Sequence, residues 1–114
     1  MENRKMALAA ARLLNDKKAD DIMLIDITGK SSFADYLVIA SGSSGRQAEA
    51  MADDIEELFA KEGIEPKGIE GRNGSGWILL DMGDVIVNVF AKDTREKYNL
   101  EKVWGDCTFL ETEE

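Results

Sequence analysis

Residues 36–59, with the sequence YLVIASGSSGRQAEAMADDIEELF, decide the fold class. The short apolar run at 36–40 is typical of a strand covered on both faces. A polar turn follows, and then a helix with apolar residues at intervals of three and four. Ser44 and Gln47 fit a capping box, in which both side chains satisfy free backbone N–H groups at a helix start. The segment therefore predicts a buried strand, a turn and an amphipathic helix, which Gly63 ends with a positive φ.

The sequence before and after this unit predicts further elements. Helical spacing of apolar residues predicts a helix over 2–18. The apolar run 22–25 predicts another strand covered on both faces. Residues 64–70 are weakly strand-like, and Pro66 confines such a strand to a sheet edge or makes it irregular.

The second half predicts a hairpin and a short final helix. Residues 77–81 and 85–90 are strand-like, and the tight turn at Met82 and Gly83 makes them an antiparallel pair. Asp93 with Glu96 predicts a helix start, whereas the tail from Asn99 has weak periodicity. The element order predicts an α/β fold in which a mixed five-stranded sheet is flanked by helices.

Length and composition indicate one globular domain over residues 1–114. Apolar residues make up 44% and charged residues 32% of the chain, which is ordinary for a folded domain. Apolar runs stay well short of the roughly 20 residues needed to cross a bilayer. The first residues lack the pattern of a secretory signal or a transit peptide, so we expect a cytoplasmic protein with no membrane partner. Cys107 is the single cysteine, which rules out an internal disulfide.

The charge balance and the missing histidine limit the classes of function. Without histidine, the chain cannot use Ser-His-Asp or Cys-His catalysis or histidine metal sites. A net charge of −9 disfavours a direct RNA-binding module, because nucleic-acid affinity comes mainly from Lys and Arg. An acidic surface favours a basic partner, although acidity also serves solubility alone.

The turn at 42–46 is a candidate phosphate site, because a helix start offers free N–H groups. It matches neither a Walker motif nor GxGxxG, and the same residues serve equally as a helix cap. A nucleotide-binding or nucleotidyltransferase-like enzyme using Ser43, Ser44 and Arg46 is the alternative function. Such an enzyme needs paired carboxylates on the next strand to hold Mg²⁺, and residues 64–70 lack an Asp-x-Asp. We therefore expect no catalysis, no cofactor and no resident metal.

Acidic and aromatic residues in the second half are candidate partner contacts. Asp81 and Asp84 flank the hairpin turn. They are candidates either for a metal-binding pair or for an exposed anionic tip that contacts a basic partner. Residues 98–106 place Tyr, Leu and Trp densely beyond the last regular element, and they either fold back on the sheet or meet a partner. The same two interpretations apply to Trp77.

Several segments together resemble the Iojap family, the ribosomal silencing factors. The resemblance covers about residues 5–106 in the family's order and spacing, which makes 5–106 the expected core and 107–114 a C-terminal tail. This chain departs from it at Asn88, where family members often have histidine. The segments that carry the resemblance are 31–36, 40–47, 70–71, Trp77, 81–87 and 98–106.

The resemblance implies a nucleotidyltransferase-like fold without the catalytic carboxylates, and a homodimer. It implies binding to the large ribosomal subunit at its fourteenth ribosomal protein, which blocks joining of the small subunit and represses translation, with a possible role in large-subunit assembly. Ribosomal proteins are generally basic, which agrees with the acidic composition of this chain. On this basis the expected partner contacts comprise four apolar anchors and four acidic residues: Trp77, Tyr98, Leu100 and Trp104, and Glu70, Asp81, Asp84 and Glu101.

Overall fold

A mixed β-sheet forms the centre of the protein. The computed structural model describes residues 3–29, 34–71, 76–92 and 108–110. The sheet strands within these ranges are β1 (Asp20–Asp26), β2 (Tyr36–Gly42), β3 (Gly68–Glu70), β4 (Trp77–Asp81), β5 (Val85–Ala91) and β6 (Thr108–Leu110). Their spatial order is β3-β4-β5-β2-β1-β6. The β2–β5 pair is parallel, and the other neighbours are antiparallel.

Two helices in the described ranges, α1 (Asn3–Asp16) and α2 (Gly45–Lys61), cover one face of this sheet. Their apolar stripes follow the 3.6-residue period, so one side of each helix is buried and the other is exposed. Helix α1 packs mainly on β1 and β2, whereas α2 packs mainly on β4 and β5. The predicted mixed sheet flanked by helices is confirmed. Five strands lie where the sequence predicts them, and β6 adds to the β1 edge.

Alternation along the strands divides the core into two clusters. Val38 and Val87 face the helices, whereas Ile39, Ile86 and Phe90 point to the opposite face. Both sets are buried, so the central strands β2 and β5 are covered on both sides. The double-sided burial predicted for residues 36–40 is confirmed.

Helix α2 begins with the predicted cap, in a modified form. Ser44 has an extended backbone, and its Oγ accepts a hydrogen bond from the Gln47 N–H at 3.2 Å. The Gln47 side-chain oxygen accepts from the N–H and Oγ of Ser43, one residue before the cap itself. Gly63 follows the helix with a φ of 76°. The hydrogen bonds of the cap fix where the helix starts, and the positive φ of Gly63 marks where it ends.

The predicted hairpin is confirmed, and β3 is the edge strand that Pro66 suggests. Gly83 supplies a φ of 96° in the turn between β4 and β5. The predicted helix after Asp93 lies outside the described residues. Strand β6 comes from the tail, where weak periodicity predicts no element.

Gly42 lets α2 approach the end of β2. A Cβ at Gly42 would lie 3.0 Å from the backbone nitrogen of Ala48 and 3.4 Å from its Cα. Because backbone atoms in the first turn of a helix cannot rotate away, a side chain at this position would have to push the helix from the strand end, and the close contact favours glycine.

Gly42→Ala is expected to lower the free energy of unfolding by about 1–3 kcal/mol, the usual cost of overpacking a core. Gly45→Ala is the matched control, since a Cβ there meets nothing within 4 Å. It should leave stability unchanged or raise it by up to about 1 kcal/mol, through helix propensity. Urea denaturation of both variants measures the difference. Equal midpoints would contradict a steric role for Gly42.

Candidate docking surface

Strand alternation gathers three of the expected contact residues on one face of the sheet. Trp77 and Asp81 point away from the helices on β4, and Glu70 does so on neighbouring β3. Leu79 lies between them, directly opposite Glu70. We call these four residues the docking surface. Its β4 residues extend over about 13 Å of strand.

Exposure increases from the sheet centre towards this edge. On the same face, Phe90 and Ile86 of β5 are buried, with Ile86 only 6% exposed. Trp77, Leu79 and Asp81 on β4 are half-buried, and Glu70 on β3 is exposed. The docking surface therefore combines an apolar centre with a polar margin, as protein interfaces usually do, and here the margin is acidic.

The Trp77 indole is held by two neighbours on β5. Its ring stacks on the opposite residue, Phe90, with centroids 5.2 Å apart and planes at 23°. Its Nε1–H donates a hydrogen bond of 2.8 Å to Oδ1 of Asn88, which is only 1% exposed. A ring fixed in this way loses little side-chain entropy when a partner covers it, so Trp77 is suited to act as an anchor.

Asp81 is held by the hairpin turn. Its Oδ1 accepts a hydrogen bond of 3.0 Å from the Gly83 N–H, and its backbone oxygen accepts one of 2.7 Å from the Lys67 N–H. One carboxylate oxygen is thus committed to the turn. The half-buried carboxylate retains further acceptor capacity for a Lys or Arg from a partner.

Asp84 lies exposed in the same turn, beside the docking surface and not on the strand face. Its backbone oxygen accepts hydrogen bonds from the N–H groups of Asp35 and Tyr36, at 2.8 and 3.1 Å. These bonds tie the hairpin turn to the start of β2. Within the described ranges, Asp81 and Asp84 belong to no group of three or more His, Cys, Asp or Glu side chains that could hold a metal ion.

Tyr98, Leu100, Glu101 and Trp104 lie outside the described residues, so their roles stay predictions. Three residues that shape the surface were not among the predicted contacts. Leu79 completes it, and Asn88 and Phe90 hold Trp77. Alternation along residues 77–81 could have identified Leu79, because it shares a face with Trp77 and Asp81.

The turn at 42–46 serves as the cap of α2. The Gln47 side-chain oxygen takes hydrogen bonds from Ser43, where a bound phosphate oxygen would have to accept, and the Ser44 hydroxyl is engaged by the Gln47 N–H. The geometry supports the cap interpretation of this turn over the phosphate interpretation.

Comparison with known proteins gives the family. The model of the family described as ribosomal silencing factor during starvation matches residues 1–114. The chain belongs to the ribosomal silencing factor family. The ribosomal silencing factor of Halalkalibacterium halodurans is 40% identical over 99% of this chain and 97% of its own length. A crystal structure of a protein from Chromobacterium violaceum has a TM-score of 0.87 and 32% identity, covering 92% of this chain and 88% of its own.

More distant relatives of this ribosomal silencing factor family member include organellar proteins. A mouse protein named mitochondrial assembly of ribosomal large subunit protein 1 is 34% identical over 81% of this chain and 42% of its own length. A maize chloroplast protein named Iojap is 28% identical over 92% of this chain and 46% of its own. The predicted membership of the Iojap, or ribosomal silencing factor, family is confirmed. Family membership is consistent with a ribosome-associated, regulatory function.

In the described part of this family member, no helix is long and apolar enough to cross a membrane.

Asn88→Leu is expected to lower the free energy of unfolding by about 1–3 kcal/mol, because it leaves the half-buried Trp77 N–H without its acceptor. The Trp77 indole resonance, assigned with Trp77→Phe, should shift in the NMR spectrum. Since phenylalanine has no N–H donor, Asn88→Leu should cost less in a Trp77→Phe background. An equal cost in both backgrounds would show that the hydrogen bond contributes nothing.

Proposed function

We propose that this protein represses translation by binding the large ribosomal subunit and blocking its association with the small subunit. In this proposal it acts in the cytoplasm, without catalysis or a cofactor, as a single domain over residues 1–114. Its partner is a basic ribosomal protein of the large subunit. The family resemblance implies that this partner is the fourteenth ribosomal protein. The family match over the whole chain carries the proposal, and the name of the mouse relative supports the large subunit as the target.

The docking surface supports a basic protein as the partner. Trp77 offers a fixed aromatic anchor beside Leu79, and aromatic anchors commonly dominate binding energy at interfaces. Glu70 and Asp81 place carboxylates on the same face, complementary to Lys or Arg. Asp84 extends this acidic margin at the turn.

The proposed contacts include the four residues of the C-terminal segment: Tyr98, Leu100, Glu101 and Trp104. In the sequence they come after β5, the strand whose Asn88 and Phe90 contact Trp77. Their place in the interface rests on the family resemblance. A contribution to large-subunit assembly and a homodimeric state are also part of the proposal, and they rest on the same resemblance.

The mechanism follows from steric exclusion. A folded domain bound to the intersubunit face occupies space that the small subunit needs, so it inhibits joining in proportion to its occupancy. The described fold extends over 32 × 32 × 28 Å, which is ample to separate two surfaces that must touch. Steric exclusion requires no chemical step.

The first experiment combines purified large subunits, small subunits and this protein, and separates them on a sucrose gradient. We expect the protein to sediment with the large subunit alone, and joined ribosomes to decrease as its concentration rises. Thermal shift with Mg²⁺ and nucleoside triphosphates should show no stabilisation. Nucleotide turnover, or failure to sediment with the large subunit, would overturn the proposal.

Substitutions then test the docking surface. Trp77→Ala should weaken binding about 30-fold, which corresponds to about 2 kcal/mol for an interface anchor. Glu70→Lys should weaken it as well, by placing a cation against a basic partner. Glu57→Lys is the matched control, because Glu57 is an exposed glutamate on α2, on the other side of the sheet. Equal effects of the two glutamate reversals would place the interface elsewhere.

A further inference from the structure

Helix α1 carries a charge opposite to that of the chain. Residues 3–18 contain five of the fourteen basic residues and only one of the twenty-three acidic residues. The net charge of this segment is therefore positive, within a protein whose net charge is −9. Charge segregated on this scale indicates a surface with a different partner from the acidic docking surface.

The exposed side of α1 presents these cations together. Lys5 and Arg12 are exposed, about 10 Å apart along the helix axis, and point away from the sheet. They line a shallow groove of about 400 Å³ whose floor is Leu8 and Ala9. Arg4 is exposed beside Lys5. Anionic groups of a partner would fit between the two cations.

Carboxylates from the described part of the chain do not neutralise these side chains. The ion pair there joins Lys17 at the end of α1 to Asp54 of α2, with 3.6 Å between Nζ and Oδ2. Among described residues, Arg4, Lys5 and Arg12 take part in no salt bridge. Within the described residues, carboxylates therefore leave these charges to an external anion.

We propose that the exposed side of α1 binds the phosphate backbone of ribosomal RNA. This binding does not depend on the base sequence of the RNA. The inference rests on the proposed function, which places this protein on a particle made of RNA and basic proteins. On such a particle the accessible anions are mainly phosphates, so a basic helix finds its complement in RNA. The acidic docking surface finds its complement in a basic protein.

The fold separates the two contacts. Helix α1 packs on the β1 and β2 side of the sheet, whereas the docking surface lies on the opposite face, on β3 and β4. RNA that contacts α1 therefore lies on the opposite side of the domain from the protein partner. The negative charge of the remaining chain keeps the protein from binding RNA elsewhere, so α1 orients it on the particle.

The test compares cosedimentation with large subunits at several salt concentrations. Lys5→Gln/Arg12→Gln should lower affinity about ten-fold or more at low salt. The slope of log affinity against log salt should fall by about 1.4–1.8, because each phosphate contact contributes roughly 0.7–0.9. Lys5→Arg/Arg12→Lys, which keeps both charges, should retain affinity and slope. Lys5→Gln alone should lower the slope by about 0.7–0.9. Its matched control is Lys61→Gln, at an exposed lysine on α2, which should leave the slope unchanged.

A photo-crosslinking amino acid at exposed Asn15 identifies what α1 meets, and we expect ribosomal RNA. Crosslinks to a ribosomal protein or to a second copy would overturn the inference, as would a changed oligomeric state of Lys5→Gln/Arg12→Gln. Wild-type affinity and slope in that variant, with Trp77→Ala still impaired, would overturn this inference alone. If the wild-type protein does not cosediment with large subunits, the proposed function is overturned, and this inference with it.

Discussion

The parallel pairing of β2 with β5 is the contact on which the rest of the structure depends. Seven residues of each strand are in register, from Tyr36 opposite Val85 to Gly42 opposite Ala91. Parallel neighbours need a long crossover, which α2 and the β3–β4 pair supply. Because both strands are buried on both faces, their register fixes which side chains reach each surface. Shifting the register by one residue would exchange the two faces.

The docking surface inherits its geometry from this pairing. Strand β5 is held by β2 on one side and holds β4 on the other, with Trp77 opposite Phe90. Asn88, which is buried in β5, accepts the hydrogen bond of the Trp77 indole and so fixes the ring. An interface built on regular strands and a short turn keeps its shape before the partner arrives, which reduces the entropy lost on binding. The steric mechanism proposed above requires such rigidity.

Sequence patterns predicted the elements that local interactions decide. The start of α2 followed from Ser44 and Gln47, and its end from Gly63, because these hydrogen bonds and dihedral angles involve neighbours in the chain. The hairpin followed from the glycine turn between two apolar runs. The parallel pairing of β2 with β5 did not follow, because it joins residues far apart in the chain. Alternation along β4 places Trp77 and Asp81 on one face, but Glu70 joins them only through the β3–β4 register, so sequence patterns supplied candidate residues and not the surface. Strand β6 escaped prediction because three residues are too few for a periodic pattern.

We propose that the large ribosomal subunit covers the face opposite the helices, on β3 and β4. Amide hydrogen exchange, measured on the free protein and on the protein bound to large subunits, tests it most directly. If this face is the interface, the amides of β3, β4 and the turn at 82–84 gain protection, and those of α2 exchange as in the free protein. Protection centred on α2, with β3 and β4 exchanging as in the free protein, would contradict it.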